Sequence, residues 1–325
     1  MPGLASVRWR CLAQGCCGGG GEIVFADVER LTFDSIDTMK RRILVGLVMA
    51  FVGLAAVLGA GEFLSQPHHR SVGPAPAGLP AVSVQFDTPD RHTLSGWIVR
   101  GQPGAGAVLL LHGIGADRRQ MLGRARFLHR LGYSVLLIDL PAHGESAGEK
   151  VTFGWNESRG VAAALGYLAQ ALPGEKIGVI GASLGAASLV LAHSAVPLNA
   201  VVLESMFPTL EEAVGNRLAL YLGPAGRWLT PLLLWQLPVR LGVSAAQLQP
   251  IVDLPSLHAP LLIAAGAEDW HTTLAETQRI YAAAPEPKAL WVVDGAAHVD
   301  LHAFYTTTYE ARIAAFMAKH LRGRD

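Results

Sequence analysis

The sequence has little charge and no excess of either sign. Only 16% of its 325 residues are charged, and its 26 Lys and Arg residues are balanced by 26 Asp and Glu residues. Proteins that bind nucleic acid usually carry a basic excess or a basic face, so that class is excluded. Apolar residues make up 51% of the chain, which is too many for a disordered protein and enough for a large core.

Cysteine is nearly absent as well. The three cysteines, Cys11, Cys16 and Cys17, all lie close to the N-terminus, so the main body of the chain has no disulfide framework. A zinc site would need further Cys or His ligands at a suitable spacing. The nearest histidines are His68 and His69, and no H-E-x-x-H sequence occurs anywhere. We therefore expect no metal site.

A long apolar run near the N-terminus predicts a membrane helix. Residues 43–61 carry no charge and follow the basic triplet Lys40-Arg41-Arg42. About 20 apolar residues span a bilayer, and a preceding basic cluster favours a cytoplasmic N-terminus. We expect residues 39–61 to be an uncleaved signal anchor with the rest of the chain exported. A cleaved signal peptide, which would give a secreted or periplasmic protein, and a buried globular helix are the alternatives.

The segments around this run are expected to lack a fold of their own. Residues 1–38 show no sustained periodicity, and a basic n-region normally stands at the start of a chain. Met39 directly before the basic triplet therefore predicts that translation starts there and that residues 1–38 are an unstructured leader. Residues 62–80 are rich in proline and glycine and are expected to form an exposed linker to a catalytic domain at 81–325.

From residue 81 onward, short apolar runs alternate with helical patterns. Residues 82–86 and 94–99 alternate in polarity and predict an opening hairpin. Continuous apolar runs, typical of strands buried on both faces, occur at 107–111, 135–138, 177–180, 200–203, 260–265 and 289–293. Helical patterns occur at 117–131, 156–172, 184–193, 273–283 and 305–321. These features predict a mostly parallel, doubly wound α/β sheet of about eight strands, with its chemistry at the carboxyl ends of the strands.

One stretch interrupts the alternation. Residues 207–255 contain six prolines, two tryptophans and the run Leu232-Leu233-Leu234. We expect short helices here, inserted between two strands, that cover a substrate pocket. This segment is called the lid insert.

Gly181-Ala182-Ser183-Leu184-Gly185 is the strongest sign of chemistry. It follows a predicted strand and leads into an apolar helix, which is the context of a nucleophile elbow. A serine on so sharp a turn needs small neighbours on both sides, because a Cβ atom there would collide with the adjacent helix or strand. The motif has no Lys-Ser or Lys-Thr, so a phosphate-binding loop is excluded.

A nucleophilic serine needs an oriented base. Asp269 and His298 each follow a predicted strand, and with Ser183 they have the chain order expected for a triad on this scaffold. His298 would move the proton and Asp269 would fix its tautomer. Glu268 is the less favoured rival of Asp269. His271 and His302 lie nearby in sequence and are expected to be surface histidines.

An oxyanion hole needs two backbone N–H donors. Leu184 directly follows the nucleophile and supplies one, and Ile114, in the loop after the strand at 107–111, supplies the other. Gly113 would allow a close backbone approach. His112 is expected to brace this loop, and the segment after Asp139 is expected to be a structural turn near the site.

Five motifs together resemble the α/β-hydrolase superfamily, in particular bacterial membrane-anchored serine hydrolases grouped with dienelactone-hydrolase-like and serine-aminopeptidase-like domains. The resemblance spans residues 82–321 and rests on Leu111-His-Gly-Ile-Gly-Ala-Asp117, Asp139-Leu-Pro-Ala-His-Gly-Glu-Ser146, Gly181-Ala-Ser-Leu-Gly185, Gly266-Ala-Glu-Asp269 and Gly295-Ala-Ala-His298. Ala142 departs from the pattern, since many relatives have glycine there. The resemblance implies an α/β-hydrolase fold and hydrolysis of a carboxylic ester, a thioester or, less often, an amide through an acyl-enzyme, without a cofactor.

The sequence thus predicts a serine hydrolase held in a bacterial inner membrane by residues 43–61. Its expected substrate is a small acyl ester or thioester with a hydrophobic acyl group. An acyltransferase on the same triad and a small-peptide aminopeptidase remain alternatives. The aminopeptidase would need an acidic pocket, for which Glu204, Glu211 and Glu212 are candidates. A non-catalytic scaffold of the same fold is disfavoured, because the triad residues and both elbow glycines are present.

Overall fold

The structure, a computed structural model, describes residues 24–322, with side chains from residue 37 onward. The three cysteines and residues 1–23 of the expected leader lie outside the described residues. From Val24 the chain is helical, as part of a long helix, α1 (Val24–Leu64). The expectation of an unstructured segment was therefore wrong for residues 24–38. This stretch contains neither glycine nor proline, so nothing in it interrupts the helix.

The chain divides into two compact units, residues 1–56 and 57–325. The described part of the first is α1 as far as residue 56. The second contains every strand the described chain forms: β1 (His68–His69), β2 (Ala81–Asp87), β3 (Thr93–Val99), β4 (Ala107–Leu111), β5 (Ser134–Ile138), β6 (His143–Gly144), β7 (Ile177–Ala182), β8 (Ala200–Glu204), β9 (Leu261–Gly266) and β10 (Lys288–Val293).

Eight of these strands form one sheet in the order β10-β9-β8-β7-β4-β5-β3-β2. The first six run parallel, whereas β3 is antiparallel to both β5 and β2. The eight-stranded, mostly parallel sheet and the opening hairpin predicted from the sequence are confirmed. Every residue of β4 and β5 is buried, which explains their continuous apolar composition.

Helices cover both faces of the sheet. The helices that follow α1 are α2 (Leu122–Arg130), α3 (Trp155–Ala171), α4 (Leu184–Val190), α5 (Leu210–Leu222), α6 (Thr230–Leu234), α7 (Leu237–Leu241), α8 (Pro250–Asp253), α9 (Leu274–Ala283), α10 (Leu301–Phe304) and α11 (Thr306–Leu321). Alternate residues of β4 enter two different cores. Leu109 packs with α3, α4 and α9 on one face, and Leu110 packs with α2, α10 and α11 on the other.

The lid insert is helical, as predicted. It comprises α5 to α8 and the short 3-10 helices Pro224–Leu229, Ala245–Gln247 and Leu254–Ser256. All of its prolines except Pro208 occupy the first or second position of one of these helices: Pro224, Pro231, Pro238, Pro250 and Pro255. Proline suits that position because its missing N–H would have no helical partner there. The prolines that interrupt the sequence pattern therefore mark helix starts.

The segment between α1 and β2 is mostly exposed, but it is attached to the rest of the second unit by hydrogen bonds. Residues 62–64 form the last turn of α1, and β1 pairs in parallel with β6. The N–H groups of Val72 and Gly73 donate to the Glu145 carboxylate at 3.0 and 2.8 Å. Proline and glycine here allow an irregular path, and these bonds hold that path against the residues that follow β6.

Candidate active site

Ser183 lies on the sharp turn between β7 and α4. Its backbone has φ 49° and ψ −109°, in the positive-φ region that residues with a side chain rarely adopt. The Ser183 N–H donates to the Glu204 carbonyl oxygen on β8 at 2.8 Å, which holds the turn. Strain of this kind persists only where surrounding structure enforces it, and it is common at active sites. The turn places this serine at the carboxyl edge of the sheet.

Gly181 and Gly185 allow the turn to form. A Cβ atom at Gly181 would lie 2.7 Å from the Ala186 nitrogen, and one at Gly185 would lie 2.7 Å from the carbonyl oxygens of Leu111 and His112. Real Cβ atoms do not approach backbone atoms so closely. The steric reason given for these two glycines from the sequence agrees with this packing.

We expect Gly185→Ala to lower the free energy of unfolding by about 1 to 3 kcal/mol, because its Cβ would push the loop after β4 away from α4. Gly166 offers a matched control, since it lies inside α3 with open space where a Cβ would be. Gly166→Ala should stabilise the protein by roughly 0.5 to 1 kcal/mol. Urea unfolding followed by circular dichroism measures both effects, and equal stability of the two variants would contradict the steric argument.

Asp269 and His298 form a directly bonded pair. His298 Nδ1 lies 2.7 Å from Asp269 Oδ2, and Asp269 Oδ1 accepts the N–H groups of His271 and Thr272 at 2.8 and 2.9 Å. Burial raises the pKa of Asp269, but the bond from His298 and the two backbone bonds outweigh burial and lower it overall. A buried carboxylate that stays ionised can fix the imidazole tautomer, with Nδ1 protonated and Nε2 free to accept a proton.

The turn after β9 determines which of two neighbouring carboxylates, Glu268 or Asp269, faces His298. Asp269 is 3% exposed and points inward, whereas Glu268 is exposed to solvent. The Glu268 N–H donates to the Ala296 carbonyl oxygen at 2.8 Å, which fixes the backbone beside the loop that carries His298. Asp269, rather than Glu268, therefore faces the histidine.

The two expected oxyanion donors lie beside the serine. Ile114 and Leu184 both line a cavity that also contains Ser183. The first N–H groups of a helix have no acceptor within the helix, so the Leu184 N–H at the start of α4 can bind a substrate oxygen. A Cβ atom at Gly113 would lie 3.7 Å from Ser183 Cβ, where a side chain would compete with substrate for space.

His112 braces the loop between β4 and the 3-10 turn Arg118–Met121. It is fully buried, its Nδ1 lies 2.7 Å from the Gly113 carbonyl oxygen, and its Nε2 accepts the Leu140 N–H at 3.0 Å. Burial lowers the pKa of His112 to about 3 and that of the adjacent His143 to about 4. A protonated His112 would set an N–H against the Leu140 N–H, so the fold requires the neutral ring.

These two histidines predict acid sensitivity. Above pH 6.5 both are neutral in the folded and unfolded states and contribute nothing to the pH dependence. Below it the unfolded chain binds protons that the folded chain does not, so stability is lost as pH falls toward the folded pKa values. We expect a loss approaching about 1.4 kcal/mol per pH unit for each histidine. Urea unfolding between pH 7.5 and pH 4.5 measures this slope. His112→Asn should reduce it, and a flat profile would contradict the prediction.

Two cavities meet at Ser183. The apolar cavity, of about 200 Å³, is lined mainly by the lid insert, through Phe207, Leu210, Ala213, Val214, Leu218 and Leu233. The polar cavity, of about 270 Å³, is lined by Ser183, His298 and polar groups that include Gln120, Arg124, Glu204 and His271. An ester placed across Ser183 would thus have an apolar space on one side and a polar space on the other.

The sequence indicated Glu204 as a possible pocket carboxylate but not the two arginines of the polar cavity. Buried Arg124 binds the Glu204 carboxylate at 2.5 Å and Asp300 at 2.8 Å, and Tyr309 hydrogen-bonds to Glu204. Arg217 lines both cavities and donates to the Ala213 carbonyl oxygen at 3.0 Å. Neither arginine belongs to a recognisable motif, so no sequence signal identifies them.

The surface positions expected for His271 and His302 were wrong. His271 stacks on His298 with ring centroids 4.9 Å apart and lines the polar cavity. His302 is mostly covered, lies edge-on to Tyr309 and contacts Glu310 at 3.2 Å. Tertiary packing partly buries both imidazole rings, and the local sequence does not indicate such packing.

The segment after Asp139 is a turn held by its own side chains. Asp139 accepts the backbone N–H groups of Arg118 and Glu145 at 2.7 and 2.9 Å and also binds the Arg118 guanidinium. Ala142, which departs from the family pattern, has φ 61°. Glycine adopts this backbone conformation without strain, which accounts for the glycine in many relatives.

Known proteins resemble this chain in sequence and in structure. A family model described as "Alpha/beta hydrolase family" matches residues 108–316. The uncharacterized protein Rv2307c of Mycobacterium tuberculosis is 34% identical over 270 residues, which cover 78% of this chain and 88% of that protein. The uncharacterized protein YqkD of Bacillus subtilis is 24% identical over 235 residues, covering 70% of this chain and 75% of its own.

Among solved structures, the esterase Pf2001 of Pyrococcus furiosus matches with a TM-score of 0.65 and 26% identity, over 79% of this chain and all of that one. An esterase from Thermogutta terrifontis matches with a TM-score of 0.55 and 18% identity, over 74% of this chain and 99% of that one, and shows the fold alone. With its sheet order, the turn at Ser183 and a family model matching most of its length, the chain belongs to the alpha/beta hydrolase family.

Proposed function

We propose that this protein is a serine esterase that cleaves a carboxylic ester or thioester through an acyl-enzyme. The observation that carries the proposal is the strained turn at Ser183, which lines the same cavity as His298. The Nδ1 atom of His298 is bonded to Asp269. A serine, a base and a group that orients the base are the parts that acyl transfer requires.

The proposed reaction begins when Ser183 Oγ attacks the carbonyl carbon and His298 Nε2 takes the hydroxyl proton. Asp269 stabilises the imidazolium, while the N–H groups of Ile114 and Leu184 bind the oxyanion. The bond to the alcohol or thiol then breaks, and His298 returns the proton to the leaving group. Water, activated by His298, attacks the acyl-enzyme, releases the acid and restores the serine.

The apolar cavity supports a hydrophobic acyl group. Arg217 is its one charged lining residue within the described chain, and most of the wall is aliphatic or aromatic. Burying one methylene stabilises a complex by about 0.8 kcal/mol, which is roughly fourfold in an equilibrium constant. The acyl chain of a matching ester would therefore raise kcat/KM until it fills the cavity.

A series of p-nitrophenyl esters from acetate to dodecanoate tests this function. We expect kcat/KM to rise by up to about fourfold per added methylene and then to fall once the chain exceeds the cavity. Val214→Phe, which fills the cavity, should move the optimum to shorter esters. Val252→Phe is the matched control, because Val252 is exposed on α8 and does not line the cavity. Absence of hydrolysis, or an optimum unmoved by Val214→Phe, would contradict the proposal.

The aminopeptidase alternative finds little support in the charges. Glu204 is occupied by Arg124, and Glu212 pairs with Arg279. A peptide α-amine would need an uncompensated carboxylate beside Ser183. These two do not provide one, and the third candidate, Glu211, lines neither cavity at Ser183. The acyltransferase alternative shares every residue of the mechanism. Adding an alcohol or amine acceptor during turnover distinguishes it, because a transferase would form acceptor ester or amide in place of free acid.

We also propose that the protein is anchored in a membrane, with its N-terminus cytoplasmic. The segment Asp37–Leu64 is apolar enough and long enough to span a bilayer. Its large apolar side chains, such as Leu47 and Phe51, are exposed to the surroundings. Such a surface is costly in water, and lipid chains would cover it. Resistance of the full chain to alkaline extraction from membranes tests this anchor.

A further inference from the structure

The lid insert is hydrogen-bonded to the last turns of α1, within the second unit, residues 57–325. Gln236 Nε2 donates to the Val57 carbonyl oxygen at 3.0 Å, and Arg240 donates to the Leu58 carbonyl oxygen at 2.7 Å and pairs with Glu62. Residues 57–61 are the end of the apolar run, and Glu62 is the first charged residue after it. The lid insert therefore lies at the level where the apolar run gives way to charge.

Gly61 permits this close approach. A Cβ atom at Gly61 would lie 2.5 Å from Gln236 Oε1 and 2.9 Å from its Cδ, and that amide is held by the Val57 bond and by Arg240. Gly59 has open space at the same position. The contact is thus specific to one face of the helix, and the chain supplies its own control residue.

An exposed apolar stripe runs beside this contact. Helices α6 and α7 are joined by Trp235 and Gln236, which keep right-handed helical dihedral angles, so the two act as nearly one helix. Leu232, Trp235 and Val239 are spaced three and four residues apart and share a face, and Trp235 and Val239 are 52% and 86% exposed. We call these three residues the lid stripe. Gln236 and Arg240, which hold α1, occupy the adjoining face.

The apolar cavity reaches the same place. Leu64, the last residue of α1, and Leu233, which stands next to the lid stripe, both line the cavity that contains Ser183. An apolar wall therefore extends from the catalytic serine to the residues directly beyond the apolar run.

We propose that the lid stripe lies in the interfacial layer of the bilayer, and that the acyl chain of a membrane-resident lipid ester enters the apolar cavity past Leu64 and Leu233. The inference rests on the esterase activity and the membrane anchor proposed above. A bilayer fits better than a protein partner because the stripe adjoins residues 57–61 of the span. Tryptophan is also typical of the membrane interface. Glu62, with Arg240 and Lys150 paired to it, lies at the height of the headgroups.

The first test uses the full chain reconstituted in phospholipid vesicles, with brominated phospholipid as the quencher of tryptophan fluorescence. We expect Trp235 to be quenched by the brominated lipid and protected from aqueous iodide. The difference between wild type and Trp235→Phe isolates its signal. Quenching by iodide alone would overturn the proposal. So would absence of lipid quenching combined with loss of a dimer in Val239→Glu, because the stripe would then be a contact between copies.

The second test compares hydrolysis of a long-chain ester dissolved in the vesicles with hydrolysis of water-soluble p-nitrophenyl acetate. Val239→Glu should reduce turnover of the vesicle ester about tenfold and leave the soluble ester unchanged. Val252→Glu, which puts the same charge on an exposed valine outside the stripe, should change neither. Gly61→Val should act like Val239→Glu, and Gly59→Val like the wild type. Equal effects within either pair would overturn the proposal.

The failures can be told apart. If alkaline extraction releases the chain from vesicles, the anchor is wrong. If neither ester is hydrolysed, the esterase activity is wrong, and the quenching measurement still decides where the stripe lies. If the membrane anchor and the esterase activity are both confirmed and the stripe variants behave like their controls, only the proposed position of the lid stripe in the bilayer is wrong.

Discussion

Ser183→Ala is expected to abolish ester hydrolysis and covalent labelling by a fluorophosphonate probe. Removal of a triad nucleophile costs about 10³ to 10⁶ in kcat, because no other group can form the acyl-enzyme. The strained backbone at φ 49° is retained in the variant, since alanine carries the same Cβ, so the loss is chemical rather than structural. Mass spectrometry of the labelled wild-type protein should place the probe on Ser183.

Ser188→Ala is the matched control. Ser188 lies one turn further along α4, is fully buried, and donates its hydroxyl to the Leu184 carbonyl oxygen at 2.6 Å. It cannot reach the cavity, so the variant should keep labelling and turnover. His298→Ala should label far more slowly than the wild type, because the serine would then lack its base. If the folded wild-type protein were not labelled by the probe, Ser183 would not be an activated nucleophile. The alternative of a non-catalytic scaffold would then be favoured.

The sheet could be predicted because each of its central strands appears in the local sequence as a continuous apolar run. In β4 both faces are buried, so the apolar run and the strand coincide at Ala107–Leu111. β1 and β6 are only two residues long, and a pair so short has no periodicity to find. The helix over residues 24–38 was missed although Val24, Val28 and Leu31 recur at helical spacing, so here the pattern was present and was not recognised.

The residues of the candidate site also fall into two groups, those that a local motif identifies and those that only the tertiary fold brings together. Ser183 and its glycines are fixed by local sterics, and the short motif carries that information. The Arg124–Glu204 pair joins positions 80 residues apart, and Gln236 meets Val57 across 179 residues. Only the tertiary fold brings such residues together. These long-range contacts pair charges that line the polar cavity and attach the lid insert to α1.

Asp269→Asn is expected to lower kcat by about 10⁴ at neutral pH, because the amide no longer fixes the His298 tautomer or stabilises the imidazolium. The amide oxygen can still accept the His271 and Thr272 N–H groups, so the free energy of unfolding should change little. The lowered pKa of Asp269 keeps the wild-type carboxylate ionised down to pH values below the ordinary aspartate range near 3.9, so its protonation should not limit activity at mildly acidic pH.

Glu268→Gln makes the same chemical change one residue earlier, on an exposed side chain. We expect it to retain wild-type kcat, KM and fluorophosphonate labelling rate. Steady-state kinetics on a soluble ester, together with the labelling rate and urea unfolding, separate a lost catalytic interaction from a damaged fold. If Glu268→Gln were as harmful as Asp269→Asn, the choice of Asp269 over Glu268 would be contradicted. If Asp269→Asn kept its activity, the bond between Asp269 and His298 would have no role in catalysis. The buried carboxylate would then serve the turn after β9 through its two backbone bonds alone.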